Sequence, residues 1–306
     1  MRSLRVVKAS LAAVALCALT ALPAGAARLP GVRLPAGLAP VSITASGTTV
    51  FVANTLSSTL TVIDASRTRV IATMHTSAAP LVVFADGTNL WAGFNDGAVV
   101  RYSALTRRLL SVTRGFTLPV AIAASGNRLW VADKAESTVT ILNRNSGGFE
   151  GRFDSGGTAP VALVVAGTRL VVANSDSKDL TALSLKTAQV VGQLTLSDHI
   201  SALAASGTRV WYTLPNENLV GVMESTDMTR QGAHPTAGLQ QDGLLVLGSK
   251  VYVANGASKL IVELREGSGS IIRGHRTGAT PKAMCVAAGR LWVTNFNGRS
   301  VSGIPL

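Results

Sequence analysis

The sequence is poor in cysteine, in charge and in acidic side chains, and each shortage excludes a class of protein. Its 306 residues include 2 cysteines, which excludes a small domain held together by several disulfides. Only 14% of the residues are charged while 47% are hydrophobic, which excludes a wholly disordered chain. The 16 acidic residues are outnumbered by 28 basic ones, so the formal net charge is +12.

The short motifs that mark common active sites are also missing. The sequence contains no Gly-rich phosphate loop, no nucleophile elbow and no closely spaced set of metal ligands. We therefore expect no metal and no cofactor. This lack favours a binding or scaffold protein over an enzyme.

One long apolar run is present, and it predicts an export signal at the N-terminus. Arg2, Arg5 and Lys8 precede an uncharged apolar stretch over residues 9–22, and the small residues 24–26 end the segment. This order is typical of a Sec-type signal peptide over 1–26, with cleavage before Ala27. The stretch is shorter than the roughly 20 residues of a membrane span. We expect a periplasmic or secreted protein of net charge +9, from 25 basic and 16 acidic residues, with no integral membrane segment.

The remainder of the chain consists of seven repeats of one pattern of about 40 residues. Each copy has a hydrophobic anchor, usually preceded by Pro eleven residues earlier and by Gly four residues earlier, and followed nine residues later by an aliphatic side chain. Repetition at this period, with apolar runs of about five residues between Gly, Asn and Ser turns, is typical of propeller blades. The anchors are Phe51, Trp91, Trp130, Val171, Trp211, Tyr252 and Trp292.

Each copy predicts four short strands, and the whole predicts an all-β, seven-bladed β-propeller of four-stranded antiparallel blades. In the third copy the expected strands are 120–124, 129–132, 138–142 and 149–153. The last copy has room for three strands only, whereas residues 27–39 precede the first copy in the register of a fourth. We expect this N-terminal segment to complete the last blade and close the ring. The mature chain, 27–306, is then one domain and a monomer.

The second strands carry a family resemblance. They read VFVAN, LWVAD, LVVAN, VYVAN and LWVTN, each after a Gly turn. With the preceding Pro, this resembles the YVTN family of bacterial β-propeller repeat proteins, over essentially the whole mature chain. The resemblance implies an exported protein of this fold. It implies no single function, because related propellers include lyases, lactonases and binding modules.

Departures from the repeat point to a candidate pocket on one end of the ring. Copies five and six lack the Pro, and copy five also lacks the polar residue that ends its second strand. The affected loops share one face, called upper, and are adjacent around the ring. The candidate ligand-binding residues are His199, Asn216, Glu217, Gln241 and Asp242. The alternative explanation is that these blades have no function and have drifted in sequence. As an enzyme of lyase or lactonase type, the protein would use His199 as general base with Glu217 or Asp242 nearby.

Most of the charge falls on the opposite, lower face. Loops after the first and third strands hold thirteen basic and five acidic residues, a net charge of +8. We expect such a face to attract polyanions, such as single-stranded DNA or an acidic cell-envelope polymer. The alternative is that each basic residue is only a soluble residue at the end of a hairpin, repeated with the blade. The partner is otherwise open: a small molecule, a protein or an envelope polymer. The candidate polyanion-binding residues are Arg128, Arg169, Arg209, Lys250 and Arg290.

Overall fold

A computed structural model describes residues 31–306, which form seven separate four-stranded antiparallel sheets. The predicted signal peptide, 1–26, lies outside the described residues. In the third copy the strands are Pro119–Ser125, Arg128–Asp133, Thr138–Asn143 and Phe149–Asp154, each containing the predicted strand. Short apolar runs between tight turns thus become meanders, because each hairpin pairs neighbouring segments.

Each blade contributes an inner, a second, a third and an outer strand. The inner strands are β2 (Pro40–Ser46), β6 (Pro80–Ala85), β10 (Pro119–Ser125), β14 (Pro160–Ala166), β18 (Leu203–Ser206), β22 (Gln241–Leu247) and β26 (Pro281–Ala287). The second strands are β3 (Thr49–Asn54), β7 (Asn89–Phe94), β11 (Arg128–Asp133), β15 (Arg169–Asn174), β19 (Arg209–Leu214), β23 (Lys250–Asn255) and β27 (Arg290–Asn295). The third strands are β4 (Thr59–Asp64), β8 (Val99–Ser103), β12 (Thr138–Asn143), β16 (Asp179–Ser184), β20 (Leu219–Glu224), β24 (Leu260–Arg265) and β28 (Ser300–Pro305). The outer strands are β5 (Arg69–His75), β9 (Leu109–Thr113), β13 (Phe149–Asp154), β17 (Val190–Thr195), β21 (Thr229–Pro235), β25 (Ile271–Arg276) and β1 (Val32–Pro35).

The N-terminal strand closes the ring, as the sequence predicts. β1 pairs antiparallel with β28, with Val32 opposite Gly303 and Pro35 opposite Ser300, so it is the outer strand of the seventh blade. The inner strand of each blade contacts that of the next, and β26 contacts β2. The protein is therefore a closed seven-bladed β-propeller. Its one described helix is a 3-10 turn, Thr55–Ser57, and none over residues 31–306 has the length and apolar character to cross a membrane.

The core lies between neighbouring blades. The four tryptophan anchors are fully buried, and each packs against the blade beside its own. Trp91 of the second blade contacts a cluster that includes Leu129 and Val131 of the third. Trp292 of the seventh blade packs in the same way with Val50 and Val52 of the first, across the closure. Such burial of large aromatic side chains stabilises the stacking of blades that cannot cover both of their own faces.

Blade 5 departs from the regular geometry at its inner strand. β18 begins only at Leu203, and the two residues before it bond to the side chain of Thr213 as well as through one backbone bond, from the amide of Thr213 to the carbonyl oxygen of Ala202. The backbone amides of Ser201 and Ala202 both donate to Oγ1 of Thr213 at 3.0 Å. The missing Pro of this copy thus corresponds to an irregular stretch at the upper end of the central channel.

Candidate functional site

The upper end of the central channel opens into a cavity of about 600 Å³. The upper face is the end at which the inner strands begin, and all seven inner strands or the residues just before them contribute to the wall. Additional lining residues come from the ends of second strands. The polar side chains in this wall are Ser42, Thr55, Lys134, Ser175, His199, Ser201, Asp242 and Lys282.

One register position from every blade forms a ring around this mouth. In six blades it is the residue after the first of the inner strand, where a bulge leaves it without a partner on the second strand. Blades 1–4 supply aliphatic side chains and blades 5–7 supply polar ones, so the ring has an apolar and a polar half. Its members are Val41, Leu81, Val120, Val161, Ser201, Asp242 and Lys282.

Below the ring the cavity wall consists mostly of small and aliphatic residues. This wall includes Ala121, Ala162 and Ala283, with Leu163, Leu244 and Met284 deeper. At Gly243 a Cβ atom would lie 1.9 Å from the carbonyl oxygen of Lys282, so only glycine allows these two inner strands to approach so closely. The charged groups are therefore confined to the mouth, and Ser42 is the one polar side chain of the cavity wall among the strand residues below it.

The polar half carries two opposite charges that are not paired with each other. Oδ2 of Asp242 is buried and has no hydrogen-bond partner in residues 31–306, and burial raises the pKa of this carboxyl group, although the Lys282 ammonium acts in the opposite direction. Nζ of Lys282 lies 5.4 Å from the ring centre of Phe296, a cation–π contact. Unsatisfied charge of this kind beside a cavity is typical of a binding site.

His199 lines the cavity, and its partner is a residue that the sequence analysis did not select. Nδ1 of His199 lies 2.9 Å from Oδ1 of Asp198, a carboxylate that is almost fully buried. Burial opposes ionisation of Asp198, but hydrogen bonds from the backbone amides of Asn216 and His199 outweigh it and lower the pKa of Asp198. In the neutral imidazole, donation from Nδ1 to this ionised carboxylate leaves Nε2 of His199 as the acceptor.

The structure divides the five residues selected from the sequence. His199 and Asp242 line the cavity, whereas Asn216, Glu217 and Gln241 do not. Asn216 is held through its side chain, which donates to Asp198 at 2.8 Å, and Glu217 accepts a hydrogen bond from Ser197 at the exposed rim. Neither Glu217 nor Asp242 is the partner of His199.

Gln241 is fully buried and lies behind the wall of the cavity. Its amide nitrogen donates to Oγ1 of Thr236 at 2.9 Å, to the carbonyl oxygen of Gly238 at 2.9 Å and to Oδ1 of Asn255 at 3.1 Å. These bonds hold the loop before β22 and its first residue, at the register where blades 1–4 and 7 have proline. Gln241 thus maintains a local conformation, and because it is fully buried outside the cavity wall it is not placed to contact a ligand there.

Two further residues matter at this end, Asp198 behind the wall and Lys282 in the ring, and the sequence carries a signal for each. Asp198 directly precedes His199, and Lys282 occupies the register of Val41 and Val161 in other copies. Comparing that one register across all seven copies would have revealed the divided ring. Within residues 31–306 no three His, Cys, Asp or Glu side chains are grouped to hold a metal ion.

On the lower face, four of the five selected cations have partners inside the protein. Arg128 donates to the carbonyl oxygens of Leu185 and Lys186 in the next blade, at 2.9 and 3.1 Å. Arg209 similarly contacts Glu266 of the next blade at 3.3 Å, and Arg290 donates to the carbonyl oxygen of Gly303 at 3.4 Å. These side chains hold strands and hairpins together. Arg169 forms no ion pair with any described residue.

Lys250, the fourth of these, neutralises a buried acid. Glu263 is fully buried opposite Tyr252, and its carboxylate accepts a hydrogen bond from Arg273 at 2.7 Å. The same carboxylate lies 2.8 Å from Nζ of Lys250, an ion pair, and 3.2 Å from Nε2 of His275. Burial opposes ionisation, but these three partners outweigh it and lower the pKa of Glu263. Lys250 therefore compensates a buried charge within its own blade.

Comparison with known proteins supports the fold. Neither a protein-family model nor a curated protein matches the chain. Among solved structures, it is similar to U3-55K, with a TM-score of 0.81 and 12% identity over 90% of this chain and 98% of that one. It is also similar to virginiamycin B lyase from Staphylococcus aureus (TM-score 0.76, 12% identity, 91% and 100% covered) and to the computationally designed Ika8 protein (0.68, 14%, 89% and 98%). At these identities the likeness concerns the shared propeller architecture.

Proposed function

We propose that the protein is an exported binding module of the YVTN type that takes a small amphipathic ligand into the upper mouth of its channel. The divided ring carries this proposal: four aliphatic residues on blades 1–4 face three polar residues on blades 5–7. A ligand with an apolar body and a polar head satisfies both halves at once. Pockets that bind small molecules typically combine apolar walls with a few convergent polar groups.

The charges of the mouth favour an acidic head group. Lys134 and Lys282 both line the cavity, against the single carboxylate of Asp242, whose pKa is raised by burial. A ligand carboxylate near Lys282 gains a charge-assisted hydrogen bond in a partly dehydrated site. The apolar body then lies against the aliphatic half of the ring, on Val120 and Val161, whose blades lie across the ring from the blade of Lys282.

Ligand-observed NMR with a matched acid and amine tests this proposal. We expect saturation transfer to 4-phenylbutyrate and weaker transfer to 4-phenylbutylamine. Val120→Glu charges the apolar half and Lys282→Met removes the cation, so each should weaken acid binding about tenfold. Lys259→Met, an exposed lysine on the same face but outside the cavity wall, is the control and should bind as the parent does. Equal binding by all four proteins, or none by the parent, contradicts the proposal.

A second function, as a propeller enzyme of lyase type, is supported by the Asp198–His199 pair. The buried carboxylate orients the imidazole through Nδ1, which leaves Nε2 available to remove a proton from a molecule in the cavity. Incubation with virginiamycin B, the substrate in the name of a structural neighbour, followed by chromatography tests this chemistry. Product formed by the parent but not by His199→Asn supports it, and no product with the parent contradicts lyase action on that substrate.

A further inference from the structure

The hairpin between β8 and β9 exposes an apolar sequence on the lower face. Residues 105–110 read Leu-Thr-Arg-Arg-Leu-Leu, and all six are exposed. Leu105, at the tip, is 84% exposed, and Leu109 and Leu110 are 59% and 47% exposed. At the corresponding tip position the other internal hairpins carry polar residues or glycine: Ser66, Asn145, Lys186, Thr226 and Gly267. Leu105 is thus a departure confined to blade 2.

Exposed apolar residues continue along the outer edge of the next two blades. Phe149 begins β13 and is 62% exposed, and Val190 and Val191 begin β17 at 49% and 44%. Outer strands run from the lower to the upper face, so all of these residues lie at the lower end. We call this set, with Leu105, Leu109 and Leu110, the lower rim patch. Blade 5 ends it, because β21 begins with Thr229 and Arg230.

Hydrogen bonds between blades hold the patch together as one surface. Oγ1 of Thr113 in β9 donates to the carbonyl oxygen of Gly147 in the next hairpin at 2.7 Å. The guanidinium of Arg128 donates to the carbonyl oxygens of Leu185 and Lys186 in the hairpin after that. The three hairpins of blades 2–4 are therefore held in fixed positions relative to one another.

Positive charges that are not neutralised surround the patch. Arg107 and Arg108 lie between its leucines, and Lys186 lies in the hairpin of blade 4; all three are exposed and form no ion pair within residues 31–306. The nearby acids are already paired, Asp86 with Arg144 at 2.6 Å and Glu150 with Arg128 at 3.7 Å. An approaching surface meets apolar side chains and free cations together.

The combination fits a lipid surface better than a nucleic acid. Single-stranded nucleic acid needs aromatic side chains on which bases stack, and the patch has one aromatic among five aliphatic residues. Aliphatic side chains enter the boundary between headgroups and acyl chains, while Arg and Lys contact anionic headgroups. We propose that the lower rim patch docks the propeller on an anionic phospholipid bilayer, with Leu105 inserted and Arg107 and Arg108 at the headgroups.

Co-sedimentation with vesicles tests this interface. The chain 27–306 is suitable, because it contains the whole closed ring and lacks the N-terminal apolar run. We expect binding to vesicles of phosphatidylglycerol and phosphatidylcholine, little binding to phosphatidylcholine alone, and weakening from about 50 mM to about 500 mM salt. Leu105→Ser should reduce affinity about tenfold, because a buried leucine side chain is lost from the interface.

Leu56→Ser is the matched control, since Leu56 is 73% exposed but lies on the upper face. It should bind vesicles as the parent does. Arg107→Glu with Arg108→Glu should abolish binding to the anionic vesicles. If the charge reversal abolishes binding while Leu105→Ser has no effect, the face attracts polyanions without insertion and the proposal is wrong. Absence of binding by the parent, or equal loss in Leu56→Ser, also overturns it.

Discussion

At the scale of single residues, the polar side chains that recur in the repeat serve the fold. Asn54 and Asn295 both end second strands. The amide of Asn54 donates to the hydroxyls of Thr59 and Thr61 on the third strand, and that of Asn295 donates to Ser300 and Ser302. Such side-chain links between strands are invisible to local turn rules.

The one cysteine among residues 31–306 is a residue whose properties can be predicted from its sequence neighbours alone. Cys285 lies in an apolar run and is 9% exposed, and burial raises the pKa of its thiol. An inert thiol follows from the sequence pattern alone, because desolvation disfavours the thiolate. Asp198 shows the opposite case, since its role depends on a loop 18 residues later that brings Asn216 to its carboxylate.

Asp198 makes a testable contribution to stability. Its carboxylate accepts bonds from two backbone amides and from Asn216, so Asp198→Asn should lower the free energy of unfolding by about 2 kcal/mol at neutral pH. The folded-state pKa lies below the ordinary value of 3.8, so this stabilisation is present above that value and is lost as the pH falls through the lowered one.

Urea unfolding from about pH 7 to about pH 3 measures this contribution. The parent should lose stability toward the acid end more steeply than Asp198→Asn. Asp176→Asn, at an exposed carboxylate of the same face, should follow the parent curve. Parallel curves for the parent and Asp198→Asn would show that the buried carboxylate is not held in its ionised form.

At the scale of elements, strands were predictable because their signals are local. Apolar runs and turn residues lie within ten residues of one another, so the third copy's strands were bounded to within one residue. The start of the inner strand of blade 5 could not be predicted in this way. It depends on hydrogen bonds that the backbone amides of Ser201 and Ala202 donate to Oγ1 of Thr213. The missing proline of copy five indicated that this strand start is irregular, but the contact with Thr213 on the second strand determines where the strand begins.

The closing strand gives a prediction at this scale. Deleting residues 1–35 removes β1 and with it the packing of Leu34 against the cluster around Val301 and Cys285. We expect the free energy of unfolding to fall by about 4 kcal/mol, from lost strand pairing and apolar burial. A chain that starts at residue 31 is the control. Thermal melting compares the two, and equal melting temperatures would mean that β1 does not close the ring.

At the scale of the whole molecule, the ring separates two kinds of surface. The upper mouth has an apolar and a polar half around a cavity, whereas the lower face carries basic hairpins and, on blades 2–4, exposed aliphatic side chains. The sequence predicted a candidate pocket on the upper face and basic loops on the lower face, because strand alternation assigns each loop to a face. It predicted neither the divided ring nor the exposed aliphatic side chains of blades 2–4. It did not predict that Arg128, Arg209, Lys250 and Arg290 have internal partners, since these contacts join segments up to 58 residues apart.

The most direct test of a ligand site at the upper mouth is a crystal structure of the protein soaked with 4-phenylbutyrate. We expect density in the mouth, with the carboxylate within hydrogen-bond distance of Nζ of Lys282 and the phenyl ring against Val120 and Val161. Density only on the lower face, or a ligand in the mouth with its ring turned to blades 5–7, would contradict it.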